Sequence, residues 1–97
     1  MYSASGKFER LALASASERE KGHSFDLYFT SDYDKSEKIG AMQTGSLFYI
    51  VSTQNGKTSV KAGSYSELKK GDKIVVFSKD DISRNKNMLV AKFELIK

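Results

Sequence analysis

The sequence predicts a mainly-β domain, a small barrel of five or six strands with one short helix, and three features carry that prediction. Asn55-Gly56 separates the apolar run Leu47-Phe48-Tyr49-Ile50-Val51 from Lys57-Thr58-Ser59-Val60. Asn-Gly between strand-like runs marks a hairpin, because a type I′ turn needs positive φ at both central residues. Residues 23–32 and 88–96 alternate their side chains with the period of two that a half-buried strand requires. Residues 72–79 centre on Ile74-Val75-Val76-Phe77, a β-branched run apolar on both faces, as in a central strand.

Taken in order, residues 1–6 are small and polar and are expected to fray. Residues 7–20 admit two readings: Phe8, Leu11, Ala12 and Ser15 have helical spacing, whereas Leu11, Leu13 and Ser15 alternate with Ala12, Ala14 and Ala16 as a strand would. Alanine favours helix, but Glu18-Arg19-Glu20-Lys21-Gly22 is a polar connector running straight into the next strand, as in a first hairpin, and the strand reading is preferred. In residues 23–32, Phe25, Leu27 and Phe29 face the core and Asp26, Tyr28 and Thr30 face water. Residues 33–45, with Gly40 and Gly45, read as a long loop anchored by Ile39 and Met42.

In the hairpin a two-residue turn pairs Gln54 with Lys57, hence Val51 with Val60, Tyr49 with Ala62, Ser52 with Ser59 and Ile50 with Lys61. The face of Tyr49 and Val51 is expected to be core, and the face of Phe48 and Ile50 to be mixed. Residues 64–71 run from Ser64 through Glu67, Lys69 and Lys70 to Gly71, the order of a capped helical turn. Residues 80–87 form a charged loop with Ile82 tucked in. The last strand alternates Leu89, Ala91, Phe93 and Leu95 with Val90, Lys92 and Glu94.

Ninety-seven residues make one domain with one core. With 39% hydrophobic residues and 29% charged the composition is that of a folded chain, and there are no repeats. Cysteine is absent, which excludes disulfides, thiolate metal sites and cysteine nucleophiles. Charges in the first twenty residues and the lack of a long apolar run argue against a signal peptide or a spanning helix; a soluble cytoplasmic protein is expected. The net charge of +4 is uneven: residues 1–54 balance at −1 and residues 55–97 at +5. A basic half suits an anionic partner such as nucleic acid, or serves solubility alone.

The run Leu68-Lys69-Lys70-Gly71-Asp72-Lys73-Ile74-Val75-Val76-Phe77 resembles the turn-then-strand segments of OB-fold and SH3-like barrels. The resemblance covers about a tenth of the chain and implies fold alone. An OB-like barrel is favoured by the two-strand opening, by the helical turn before the last two strands and by the loop after the second strand; an SH3-like barrel is the alternative.

The catalytic inventory is thin. One His, no Cys, no Gly-x-Ser-x-Gly and no phosphate-cradling glycine loop leave triads, zinc sites and nucleotide hydrolysis without their parts, so a non-catalytic protein without cofactor or metal is expected. Asp26, Asp32 and Asp34 match no EF-hand spacing and read as solvated strand ends. His23 reads as a strand-edge residue, and Asp80-Asp81 as a turn. Binding remains. In the preferred reading, Tyr28 and Phe48 on the wet sheet face stack the bases of a single-stranded nucleic acid while Lys57, Lys61, Arg84 and Lys86 neutralise phosphates. In the other, the chain is an adaptor or inhibitor that docks on a protein partner through an exposed strand, loop or patch.

Overall fold

A computed structural model describes all 97 residues. Its strands are β1 (Tyr2–Leu13), β2 (His23–Ser31), β3 (Glu37–Gln54), β4 (Lys57–Ala62), β5 (Lys73–Ser78) and β6 (Asn87–Ile96), with a short helix α1 (Ala16–Glu20) and one 3₁₀ turn (Tyr65–Glu67). Strand β1 pairs with both β2 and β5, β2 with β3, and β5 with β6, all antiparallel, while β3 and β6 run parallel. The circuit β1-β2-β3-β6-β5 closes into a five-stranded barrel, and β4 pairs with β3 alone.

The hairpin forms as its turn demands. Asn55 (φ 53°) and Gly56 (φ 76°) are both left-handed, and the register places Gln54 opposite Lys57, Val51 opposite Val60 and Tyr49 opposite Ala62, as the two-residue turn dictates. Its faces, however, are the reverse of those expected. Phe48 and Ile50 are buried, and Tyr49 and Val51 are half-exposed. The cause is the other edge of β3, where parallel pairing sets Phe48 against Phe93 and Ile50 against Leu95, so this side of the strand becomes barrel interior.

Residues 33–45 are not a long loop. A tight turn at residues 32–34 ends by Ser36, and β3 then runs for 18 residues from Glu37. Two features disguise this strand. Gly40 is needed because a Cβ there would collide with the Val90 side chain. Lys38 is buried, its ammonium donating to the Asn85 carbonyl at 3.2 Å and facing Asp34 at 3.6 Å. Between Met42 and Leu47 the β3–β6 register shifts, and across from this bulge β6 changes phase: Met88 and Val90 point inward before it, Phe93 and Leu95 after it, and Leu89 is exposed rather than core.

Residues 7–20 divide between the two readings, strand to Leu13 and then α1, which Ser15 caps by accepting from the Glu18 amide. Nor do residues 2–6 fray, since they pair with β5 from Tyr2–Ser78 to Gly6–Ile74. At Gly6 the strand passes from β5 to β2, so close that a Cβ would strike the Thr30 carbonyl. Leu27, Phe29, Ile74, Val76 and Phe93 lie wholly inside the barrel. At one end Phe48 stacks on Phe93 with centroids 4.3 Å apart, and Tyr65 from the 3₁₀ turn covers Phe48 at 5.6 Å. Burial pushes the Tyr65 phenol pKa up. Ile82 is buried as expected and pins the β5–β6 loop.

Candidate nucleic-acid interface

Because Leu27 and Phe29 are driven into the core, Tyr28 between them faces out. Cross-strand pairing then fixes its neighbours: Arg10 on β1, Ile39 on β3 and, beyond Ile39, Asn87 on β6. The next row reads Ala12, Asp26, Ala41 and Leu89. Arg10 comes into line through a register shift between Phe8 and Arg10, which brings Arg10 rather than Glu9 opposite Tyr28. Its guanidinium lies over the Tyr28 ring, Cζ 3.6 Å from the centroid, within the range of a strong cation–π contact.

The β5–β6 loop borders this face. Asp81 organises it, its carboxylate accepting from the Ser83 amide at 3.1 Å and the Ser83 hydroxyl at 2.6 Å, as the turn reading of Asp80-Asp81 expects; these bonds hold the Asp81 carboxyl below its usual pKa. Ile39 donates its backbone N–H to the Lys86 carbonyl at 2.8 Å, which places exposed Lys86 one strand from Tyr28. Arg84 lies two residues earlier, 85% exposed, with Nε 3.6 Å from Asp81.

Carboxylates on the face are largely matched. Glu9 accepts from Thr30 Oγ1 at 2.9 Å and lies 3.7 Å from the Lys70 ammonium. Asp26 contacts His23 Nε2 at 2.7 Å, and Glu18 approaches the other ring nitrogen at 3.4 Å. Partial burial lowers the His23 pKa, but the hydrogen bonds and charges of Asp26 and Glu18 outweigh it, and the net shift is upward. Asp26, Asp32 and Asp34 do not converge: Asp26 is held by His23, and Asp34 caps the Ser36 amide. No group of three or more His, Asp or Glu side chains is placed to hold a metal ion.

Of the six residues singled out from sequence, Tyr28 lies on the outer sheet face, Lys86 adjoins it through its backbone bond to Ile39, and Arg84 is on the same β5–β6 loop as Lys86. Lys57 and Lys61 stand apart on β4, opposite Gln54 and Ile50, fifteen and eleven residues along β3 from the Ile39 that flanks Tyr28. Phe48 is no platform, being 9% exposed and packed with Phe93 and Tyr65 in a cluster of near-parallel rings. Arg10, Ile39 and Asn87 escaped sequence reasoning. For Arg10 a signal existed: in a strand reading it alternates with Leu11 and so shares the wet side with Ala12.

The arrangement supplies a planar aromatic backed by a planar cation, apolar surface at Ile39, Ala41 and Leu89, and positive charge at Arg10, Lys86 and Arg84. Bases stack on rings and guanidinium planes alike, and phosphates are neutralised by the cations. The largest cleft, about 420 Å³, lies elsewhere, between Ser3, Ser5, Ser31, Tyr33 and the Ile82–Ser83 turn. No helix is long and apolar enough to cross a membrane. Comparison with protein-family models, curated proteins and solved structures returned no match.

Proposed function

We propose that this protein is a non-catalytic, cytoplasmic binding module that holds single-stranded nucleic acid across the outer face of β1, β2, β3 and β6. The observation that carries this reading is the Arg10 guanidinium over the outward Tyr28 ring. One ring face is occupied by a cation, and the exposed side of the pair is free to take a base. Arg10 and Lys86 then serve the flanking phosphates, with Arg84 at the margin. Leaving out β4, the strand circuit supports an OB-like barrel, and such barrels bind oligonucleotides on the face of their second and third strands and on the loops beside it. Here those are β2, β3 and the β5–β6 loop.

Titration of the ¹⁵N-labelled protein with a mixed-sequence single-stranded oligonucleotide tests the proposal. Amide shifts are expected to be largest at Arg10, Tyr28, Ile39 and Asn87. A spectrum unmoved by DNA and by RNA alike would overturn it.

A further inference from the structure

Strand β4 is exposed at all six of its residues and pairs only with β3. In an antiparallel ladder alternate residues turn their N–H and C=O to the partner and to the opposite edge. Gln54 and Lys57 flank a two-residue turn, and the Gly63 amide donates to the Phe48 carbonyl at 3.0 Å; residues 57, 59, 61 and 63 therefore bond to β3. Thr58, Val60 and Ala62 are left presenting their backbone groups to the free edge, and no backbone or side-chain group takes them up.

The two faces of this edge differ. Lys57, Ser59 and Lys61 share one side, and neither lysine has a carboxylate within 4.0 Å. On the other side Val60, 58% exposed, continues into half-exposed Val51 and Ile96, the next residues in its row. Lysines on an edge strand ordinarily discourage pairing with like strands. A strand that alternates acidic and apolar residues reverses that effect, because its carboxylates fall beside Lys57 and Lys61 while its apolar side chains cover Val60 and Ala62.

We propose that β4 is a docking edge for an extended protein segment of alternating acidic and apolar residues, which joins the sheet as an added strand. Backbone bonds to Thr58, Val60 and Ala62 supply affinity, and the lysine row supplies selection. A second copy of the chain fits less well, since it brings its own lysines to the same edge and gains no charge pairing. The surface is separate from the Tyr28 face and does not depend on it.

The test uses a fluorescein-labelled peptide, acetyl-Glu-Val-Glu-Val-Glu-Val-amide, with its Lys-for-Glu counterpart as control. Saturable binding of the acidic peptide alone is expected, with slowed hydrogen exchange at the amides of Thr58, Val60 and Ala62. The double variant Lys57→Glu/Lys61→Glu, whose changes are on exposed side chains, should bind the acidic peptide about tenfold more weakly and accept the lysine peptide instead. Absence of saturable binding, indifference to charge reversal, displacement of the peptide by a single-stranded oligonucleotide, or concentration-dependent self-association through β4 would each overturn the proposal. Peptide binding, its charge dependence and the β4 protection are read without Arg10 or Tyr28, and displacement by oligonucleotide is scored in Tyr28→Ala, so failure here is distinguishable from failure of the nucleic-acid reading.

Discussion

The Arg10 guanidinium covers one face of the Tyr28 ring at 3.6 Å, and the two residues are direct cross-strand partners between β1 and β2. The contact orders a long, flexible cation on the surface of the barrel. A base that stacks against the pair meets a platform whose side-chain entropy has already been reduced, which is how preorganisation raises affinity.

Removing the ring should therefore weaken binding without unfolding the protein. Tyr28→Ala is expected to cost about 1–3 kcal/mol of single-strand affinity, the usual worth of one stacked base, with little change in thermal midpoint because the side chain points outward. Arg10→Lys keeps the charge but loses the plane, and should fall between wild type and Arg10→Ala. Fluorescence titration alongside thermal melting checks both.

Phe48→Ala has the opposite signature. Truncating a buried aromatic costs about 3–5 kcal/mol, a large share of the stability of a small domain, and here it also removes the ring on which both Phe93 and Tyr65 pack. Urea unfolding should show the loss, while whatever fraction remains folded binds oligonucleotide as before.

Lysines on the two surfaces should differ in their salt dependence. If Lys86 meets a phosphate, Lys86→Ala lowers the slope of log affinity against log salt by about 0.7, the value for one contact on a single strand. Lys57→Ala should leave the slope unchanged, since β4 lies at the other end of β3. Affinity measured at four or five salt concentrations separates the two.

Protonated His23 bridges α1 to β2 through Glu18 and Asp26. With its folded pKa raised above the ordinary 6.5, its contribution to stability is fully present below 6.5 and is lost as pH rises through the folded value. Thermal midpoints between pH 6 and pH 8.5 should carry this decline, and His23→Asn should lack that part of it. An NMR titration of the ring that gave a pKa at or below 6.5 would refute the assignment.

Much of the barrel is legible in the sequence because local chemistry fixes it. The Asn55-Gly56 turn sets a register that leaves no choice over residues 49–62, and simple alternation turns Tyr28 outward. What escapes is set by partners distant in the chain. Which face of Phe48 and Tyr49 is buried depends on parallel pairing with β6 some 45 residues later, and the phase change that leaves Leu89 exposed falls where the β3–β6 register shifts. Gly40 and Lys38 look like loop residues because the Val90 side chain and the Asn85 carbonyl that explain them are remote. Alternation with Leu11 turns Arg10 outward, but its place opposite Tyr28 was hidden for the same reason, since it depends on the irregularity beside Glu9.

Glycine at position 40 gives a direct check on that packing. Gly40→Ala drives a methyl into Val90 and should cost about 1–3 kcal/mol, the range for overpacked cores. Combining it with Val90→Ala, which makes room, should recover part of the loss, as a double-mutant cycle in urea would measure.

The most direct measurement is fluorescence anisotropy of a labelled mixed-sequence oligonucleotide, as DNA and as RNA, titrated with wild type and Tyr28→Ala at low and moderate salt. Wild type is expected to bind saturably, with an affinity that falls steeply with salt and is weakened by the substitution. No binding of either strand even at low salt, or binding that Tyr28→Ala leaves untouched, would contradict the nucleic-acid reading.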